Sequence, residues 1–237
     1  MIESLTADYS VLLKGWAPAA PTVPWYERET LIGPLLTGDR YTRAKRAFDV
    51  IAVGLLLIPI LLMLALCAVA IWLESPGRVY FTQWRTGQYG RRFRMYKLRT
   101  MVPNAEELKA QYAHLNVLTP PDFKIPDDPR ITRVGRFLRR TSLDELPQVI
   151  NVLLGEMSLV GPRPTSFVPE SYSPWQWERL AGMPGLTGLW QVVGRADLDF
   201  RDRCRLDVFY ARHFCLRLDM EIMIRTVGAV FSGRGAA

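Results

Sequence analysis

The chain has 237 residues, 49% hydrophobic and 22% charged, a composition that excludes a disordered protein and leaves room for one large domain or two small ones. Its 30 Lys and Arg against 23 Asp and Glu give a formal charge of +7, which calls for an anionic partner: phosphate groups, nucleic acid or an anionic lipid surface. Three cysteines without a C-x-x-C pair, and only His114 and His213, argue against a disulfide framework, a structural zinc or a histidine-rich metal site.

Residues 1–40 carry Pro18, Pro21, Pro24 and Pro34 with little periodicity, and are expected to form a poorly structured extension. They have neither the basic start nor the apolar core of a secretory signal. After a basic cluster (Arg40, Arg43, Lys45, Arg46) comes the dominant feature, Val50–Leu73, 24 residues without a charge. As a helix it would be ~36 Å long, enough for a bilayer core of ~30 Å. Core helices are rarely so long and so uniformly apolar, which favours a membrane segment. Pro59 sits inside it, and both flanks are basic: Arg78–Arg99 holds seven Lys or Arg and no acid. A straight span puts one basic cluster on the wrong side. A helix broken at Pro59 that leaves by the face it entered removes the conflict. A plain span with a tolerated kink remains the other reading.

Ser75-Pro76-Gly77 reads as a turn. Arg78–Gln83 and Phe93–Arg99 alternate around a glycine-bearing stretch and predict a β-hairpin. Helices are expected over 104–114, with Asn104 as N-cap, then over 131–140 and 143–154. Loops are expected at 119–122 and 126–129, and glycines and prolines punctuate 155–195. Phe200–Phe231 is helical in pattern, with six arginines among apolar residues. Such a stretch suits a membrane surface or an ordinary amphipathic helix on a core.

The densest chemistry lies in Arg139–Pro164. Arg139 and Arg140 precede an acid pair, Asp144-Glu145, and Arg163 stands between two prolines. Ser142–Glu145 also matches a capping box, S-x-x-E, in which Glu145 would merely bond back to Ser142. In the chemical reading, acids at a helix start meet a phosphate drawn there by free amides. A divalent ion, Mg²⁺, bound by a carboxylate and the phosphate oxygens would screen the repulsion. Arg139 and Arg163 would grip phosphate, and an Asp carboxylate could then attack phosphorus to give an acyl phosphate. Lys97 and Arg99, beside the anchor, read on their own better as a solvated or headgroup-binding face than as site residues. Pro184–Arg195 carries three glycines without a Walker lysine, so it is either a packing turn or a nucleotide loop. Asp207 and Tyr210 fit the edge of a core or a site.

Taken together, KRAFDV (45–50), SPG (75–77), YKLRTM (96–101), the long run 128–164, PGLTGLWQVVGR (184–195) and LDVFYA (206–211) resemble the bacterial sugar transferases, the monotopic phosphoglycosyl transferases, from Lys45 to about Gly233. The resemblance implies an α+β, mostly helical fold: a re-entrant membrane helix–break–helix (41–74) after the extension, then a cytoplasmic catalytic domain (75–237) with a small β-hairpin and amphipathic helices at the membrane surface. It implies transfer of a sugar 1-phosphate from a UDP-sugar to undecaprenyl or another polyprenyl phosphate, with release of UMP, through a covalent aspartyl intermediate. This would be the first membrane step of exopolysaccharide or glycoconjugate assembly. Carried over by position, Asp144 is the nucleophile and Glu145 its partner at Mg²⁺. Arg139, Arg163, Arg99 and Lys97 bind phosphate, and Gln191, Arg195, Asp207 and Tyr210 bind the nucleotide sugar. The family break is often Ser-Pro; here it is Ile58-Pro59. The chain looks like a short form, similar to enzymes that prime with glucose or galactose 1-phosphate. The implied setting is the bacterial inner membrane, with the catalytic domain facing the cytoplasm, no nucleic acid partner, and a homodimer left open. The competing function is a membrane-tethered basic module that binds anionic lipid or nucleic acid without turnover, with steep salt dependence.

Overall fold

The computed structural model describes residues 26–27, 38–117, 125–194 and 198–231. The chain divides into two units, 1–33 and 34–237, and the account below concerns the second. The extension expected over 1–40 and the loop expected at 119–122 lie almost wholly outside the described residues.

The apolar run belongs to one 37-residue helix, α1 (Gly38–Glu74), which is ~55 Å long. It runs through Pro59 without a gap, so the expected break is absent from the secondary structure. A single proline removes one intrahelical bond, which the remaining turns tolerate. One stripe of α1 is buried: Val53, Leu64, Cys67 and Ile71, with Ile60 half-buried between them. The opposite side, including Leu55, Ile58, Leu62, Leu66 and Leu73, is exposed and apolar. By length and composition α1 is able to enter or cross a membrane.

The hairpin is present and longer than expected. β1 (Tyr80–Thr86) pairs antiparallel with β2 (Arg92–Leu98), Tyr80 opposite Leu98 and Thr86 opposite Arg92. Phe93, Met95 and Lys97 share one face with their cross-strand partners Arg85, Gln83 and Phe81. Phe93 and Met95 pack with Val53 of α1 and with Val149, Val152 and Met157. Leu98 joins Leu64, Cys67, Ile71 and Leu138 in a second cluster. Thus α1 lies along the two cores rather than apart from them.

The helix expected at 104–114 is not formed; the stretch holds turns and two three-residue 3-10 segments. It has no buried apolar face to bind it, and an isolated short helix is marginal. α2 (Arg133–Thr141) follows, then a 3-10 turn (Leu143–Gln148) and α3 (Val149–Leu154). Asn151 ties α3 to the hairpin: its Nδ2 donates to Arg94 O at 2.7 Å and its Oδ1 accepts from Tyr96 N at 3.1 Å. A small parallel pair, β3 (Ser158–Val160) and β4 (Gly185–Thr187), brackets the short α4 (Pro174–Trp177) in sequence. α5 (Leu189–Val193) leads to the C-terminal stretch, which is two helices, α6 (Phe200–His213) and α7 (Leu216–Phe231), rather than one. α6 buries Cys204, Leu206, Asp207, Val208 and Tyr210, so it is a core helix.

The KRAFDV segment of α1 staples these parts together. Lys45 Nζ lies 2.8 Å from Asp219 Oδ2 of α7, and Tyr41 donates to the same oxygen at 2.8 Å. Arg46 donates to the carbonyls of Val152 and Leu153 at the end of α3, a favourable place for a cation. Asp49 accepts from Leu159 N at 3.2 Å.

Candidate active site

The acid pair is placed by α2 and the turn after it. Thr132 caps α2 by accepting from Gly135 N at 2.9 Å. Glu74, at the end of α1, accepts from the free amides of Arg133 and Val134 at 2.8 and 2.9 Å. Gly135 sits so close to the strand end that a Cβ there would lie 2.0 Å from Thr100 O. The absence of that carbon lets α2 lie on the chain leaving β2. Ser142 then turns in the left-handed region (φ 58), and its side chain makes no cap. The capping box expected over Ser142–Glu145 is therefore not formed. Only backbone joins the two, Glu145 N to Ser142 O at 3.2 Å, and the Glu145 carboxylate points elsewhere.

That carboxylate meets two cations. Lys97 Nζ donates to Oε1 at 2.7 Å; Arg163 Nη1 donates to Oε2 at 3.1 Å, and Arg163 Nη2 donates to Oε1. Burial alone would raise the Glu145 pKa, but Arg163 and then Lys97 outweigh it and hold the group well below the usual carboxylate range. Asp144 is the opposite case. It is 8% exposed, accepts no hydrogen bond among the described residues, and has Lys97 Nζ at 4.0 Å. Burial lifts its pKa above the ordinary Asp value; Lys97 opposes this and the neighbouring Glu145 adds to it. One carboxylate is clamped and ionised, and the other is unclamped and harder to ionise.

Arg139 comes from the last turn of α2. Its Nε donates to Thr100 Oγ1 at 2.9 Å, and its charge acts on Asp144. Arg163 is carried on a loop braced from both sides. Thr86 N of β1 donates to Thr165 O at 2.9 Å, and Arg179 Nη2 donates to Arg163 O at 2.8 Å. Arg179 is buried and paired with Asp207 through its Nε at 3.1 Å and through Nη2. Burial pushes the Asp207 carboxyl up to about 6 against the pull of Arg179. A small crevice beside Arg163 is walled by Thr86, Gly87, Pro164 and Gly182.

The structure therefore gathers Lys97, Arg139 and Arg163 around Asp144 and Glu145. Arg99 turns away: its Nη2 donates to Ser75 O, at the turn after the anchor. Tyr210 is buried, and its hydroxyl donates to Asp219 Oδ1 at 2.5 Å, within the Lys45–Tyr41 clasp. Asp207 is fully buried behind the Arg163 loop, a bracing position rather than a ligand-facing one. Gln191 lies half-buried on α5, and Arg195 falls outside the described residues. Pro184–Arg195 begins as a packing turn, since a Cβ on Gly185 would lie 2.1 Å from Gly161 N. Arg85 was not anticipated as a site residue; its charge acts on both Arg163 and Glu145. Extending the strand alternation from Gln83 to Thr86 would have put it on the Lys97 face.

No group of three or more His, Cys, Asp or Glu forms a metal-binding cluster among the described residues. Two adjacent carboxylates still suit a hard divalent ion whose shell is completed by phosphate oxygens and water, the usual manner of Mg²⁺.

Residues 40–233 match the family model described as bacterial sugar transferase. The chain is 38% identical over 200 residues to the exopolysaccharide production protein ExoY of Rhizobium meliloti, covering 81% of this chain and 88% of that one. It is 40% identical over 197 residues to the UDP-glucose:undecaprenyl-phosphate glucose-1-phosphate transferase of Caulobacter vibrioides, covering 79% and 70%. Against the undecaprenyl-phosphate galactose phosphotransferase of Salmonella typhimurium it is 41% identical over 200 residues, covering 81% of this chain but 41% of that protein. The galactosyl transferase CpsE of Streptococcus agalactiae is likewise matched over only 43% of its length. With its acid pair, the arginines around it and the apolar run of its long helix inside the matched region, the chain belongs to the bacterial sugar transferase family.

Proposed function

We propose that the chain transfers a sugar 1-phosphate from a UDP-sugar to undecaprenyl phosphate, releases UMP, and so primes an exopolysaccharide or related glycan. The observation that carries this reading is the asymmetry of the acid pair. Glu145 is held by Lys97 and Arg163, while Asp144 accepts no hydrogen bond among the described residues. Asp144 is then the nucleophile. Its oxygen bonds to the sugar-bearing phosphorus, the bond from that phosphorus to the bridging oxygen breaks, and the electron pair leaves on UMP. In the second step a phosphate oxygen of the lipid attacks the same phosphorus and expels the Asp144 carboxylate. Lys97, Arg139 and Arg163 stabilise the charge that builds on the phosphoryl oxygens. Mg²⁺ held by Asp144 and Glu145 with the substrate phosphates would supply further charge neutralisation.

The relatives' names support the substrate classes: undecaprenyl phosphate with a UDP-glucose donor in one and galactose in another. Glucose or galactose 1-phosphate is the group we assign here. The buried stripe of α1, from Val53 to Ile71, supports an anchor whose two ends stay on one membrane face, because a helix lying along a charged domain cannot leave it behind to cross. On this reading residues 41–74 are the re-entrant anchor, bent at Pro59 without a break in the helix, and 75–237 the catalytic domain, facing the cytoplasm from the inner membrane. A homodimer is compatible with it. A purely electrostatic binding module has no use for an acid pair buried among its cations.

The test uses the purified full chain with UDP-glucose and UDP-galactose. A mass increase of one sugar phosphate on Asp144, chased off by undecaprenyl phosphate with UMP already released, is the expected result. Turnover that survives Asp144→Asn would overturn the assignment.

A further inference from the structure

Arg85 sits on β1, on the hairpin face it shares with Gln83 and, across the register, with Phe93, Met95 and Lys97. Its Nη2 donates to Gln83 Oε1 at 2.6 Å. Its Nε is buried and has no partner, and no carboxylate pairs with Arg85 among the described residues. Its neighbours make this costly. The groups acting on it include two cations, Arg163 and Arg92, and one carboxylate, Glu145, which Arg163 and Lys97 already engage. Burial and then Arg163 pull the guanidinium down to about 10, below any ordinary arginine. Arg163 has Glu145, and Arg92 spends its Nη1 on Thr86 Oγ1 at 2.8 Å and Phe167 O at 2.9 Å. A half-buried guanidinium with an unused donor, under the charge of a second guanidinium, is a site that an anion would satisfy.

The site is net positive even before any metal ion is added. Lys97, Arg139, Arg163 and Arg85 face Asp144 and Glu145, an excess of two positive charges. A nucleoside diphosphate sugar carries two negative charges on its diphosphate. Lys97 and Arg139 act on Asp144, where phosphorus is attacked. Arg85 acts on Arg163 and Glu145 instead, and the two residues that follow it in β1 and the turn, Thr86 and Gly87, line a small crevice together with Arg163 and Gly182.

We propose that Arg85, with Arg163, holds the departing phosphate of the nucleotide, the group on which the electron pair leaves. This rests on the two-step reaction proposed above and divides the site: Lys97 and Arg139 serve the phosphorus that is transferred, Arg85 the phosphate that goes. Arg85 thus belongs to the first half-reaction alone.

The two halves are measurable separately. UMP is the probe, by calorimetry and as product inhibitor, since it contains the departing phosphate and no sugar. Arg85→Gln is expected to weaken UMP binding about tenfold, the value of one charge-assisted contact. It should slow formation of the Asp144 adduct at least as much, and leave transfer from preformed adduct to undecaprenyl phosphate within about twofold. Arg85→Lys should recover part of the UMP affinity. Unchanged UMP binding in Arg85→Gln, or equal slowing of both halves, overturns the proposal; equal slowing would mean that Arg85 only supports the fold. Failure of the wild-type chain to form any adduct would sink the proposed reaction instead, and UMP binding that still depends on Arg85 would keep the phosphate subsite.

Discussion

Arg163 holds Glu145 through both of its terminal nitrogens, one at 3.1 Å from Oε2, and the backbone that carries Arg163 is itself held by Arg179. The fork–fork pair fixes Glu145 as an anion and leaves the adjacent Asp144 as the acid whose charge state varies. Glu145→Gln leaves Arg163 and Lys97 facing a neutral amide and should lower kcat by about a hundredfold or more. It also removes a negative charge that raises the Asp144 pKa. The acid limb of kcat/KM against pH should therefore move to lower pH in the variant, measured as UMP release.

Lys97 acts in the other direction. It is the foremost cation lowering the Asp144 pKa. Replacing it by methionine should lift that pKa further, so that the carboxylate form is lost at a higher pH as the solution is acidified. The acid limb moves up, opposite to Glu145→Gln. A shift of the same sign in both variants would contradict the electrostatics described here.

Asp207 is fully buried, and its partner Arg179 is 3% exposed. Asp207→Ala leaves a buried guanidinium without its carboxylate and should cost about 3–5 kcal/mol in stability. Urea unfolding in detergent measures it. Because Arg179 also holds the Arg163 carbonyl, a milder change, Asp207→Asn, should raise KM for the nucleotide sugar while the pH dependence set by Asp144 stays where it was.

The two sides of α1 should respond differently. Leu64 is 5% exposed and Leu62 is 64% exposed. Leu64→Ala opens the core against Leu98 and Leu138 and should cost about 2–5 kcal/mol of stability. Leu62→Lys leaves the core intact and should weaken vesicle binding, by up to about 3 kcal/mol if the position is deep in hydrocarbon. Flotation with lipid vesicles and denaturant unfolding separate the two effects.

What the sequence disclosed follows physical lines. The anchor and the hairpin were legible because an uncharged run and a strict alternation are local signals. The acid pair and Arg163 were legible because their chemistry is unusual in a basic stretch. Ser142–Glu145 misled as a capping box, since local spacing cannot show that Lys97 and Arg163 claim the Glu145 carboxylate from 48 and 18 residues away. Arg99, next to the second strand, was drawn to the Ser75 turn by the same kind of remote contact. Asp207 and Tyr210 were ambiguous because their partners, Arg179 and Asp219, lie on other segments. Residues 104–114 had a cap residue and helix formers but no apolar face, and formed turns.

The clasp of Tyr41 and Lys45 on Asp219 has a consequence for how the protein is made. The anchor helix leaves the ribosome early, yet its closing contact is supplied 178 residues later than Tyr41. Synthesis therefore delivers the greasy segment to the bilayer well before the catalytic body can shut around its base. Nascent chains halted before α7 should reach the membrane and remain open to protease at the KRAFDV segment, and those that include Asp219 should become resistant there.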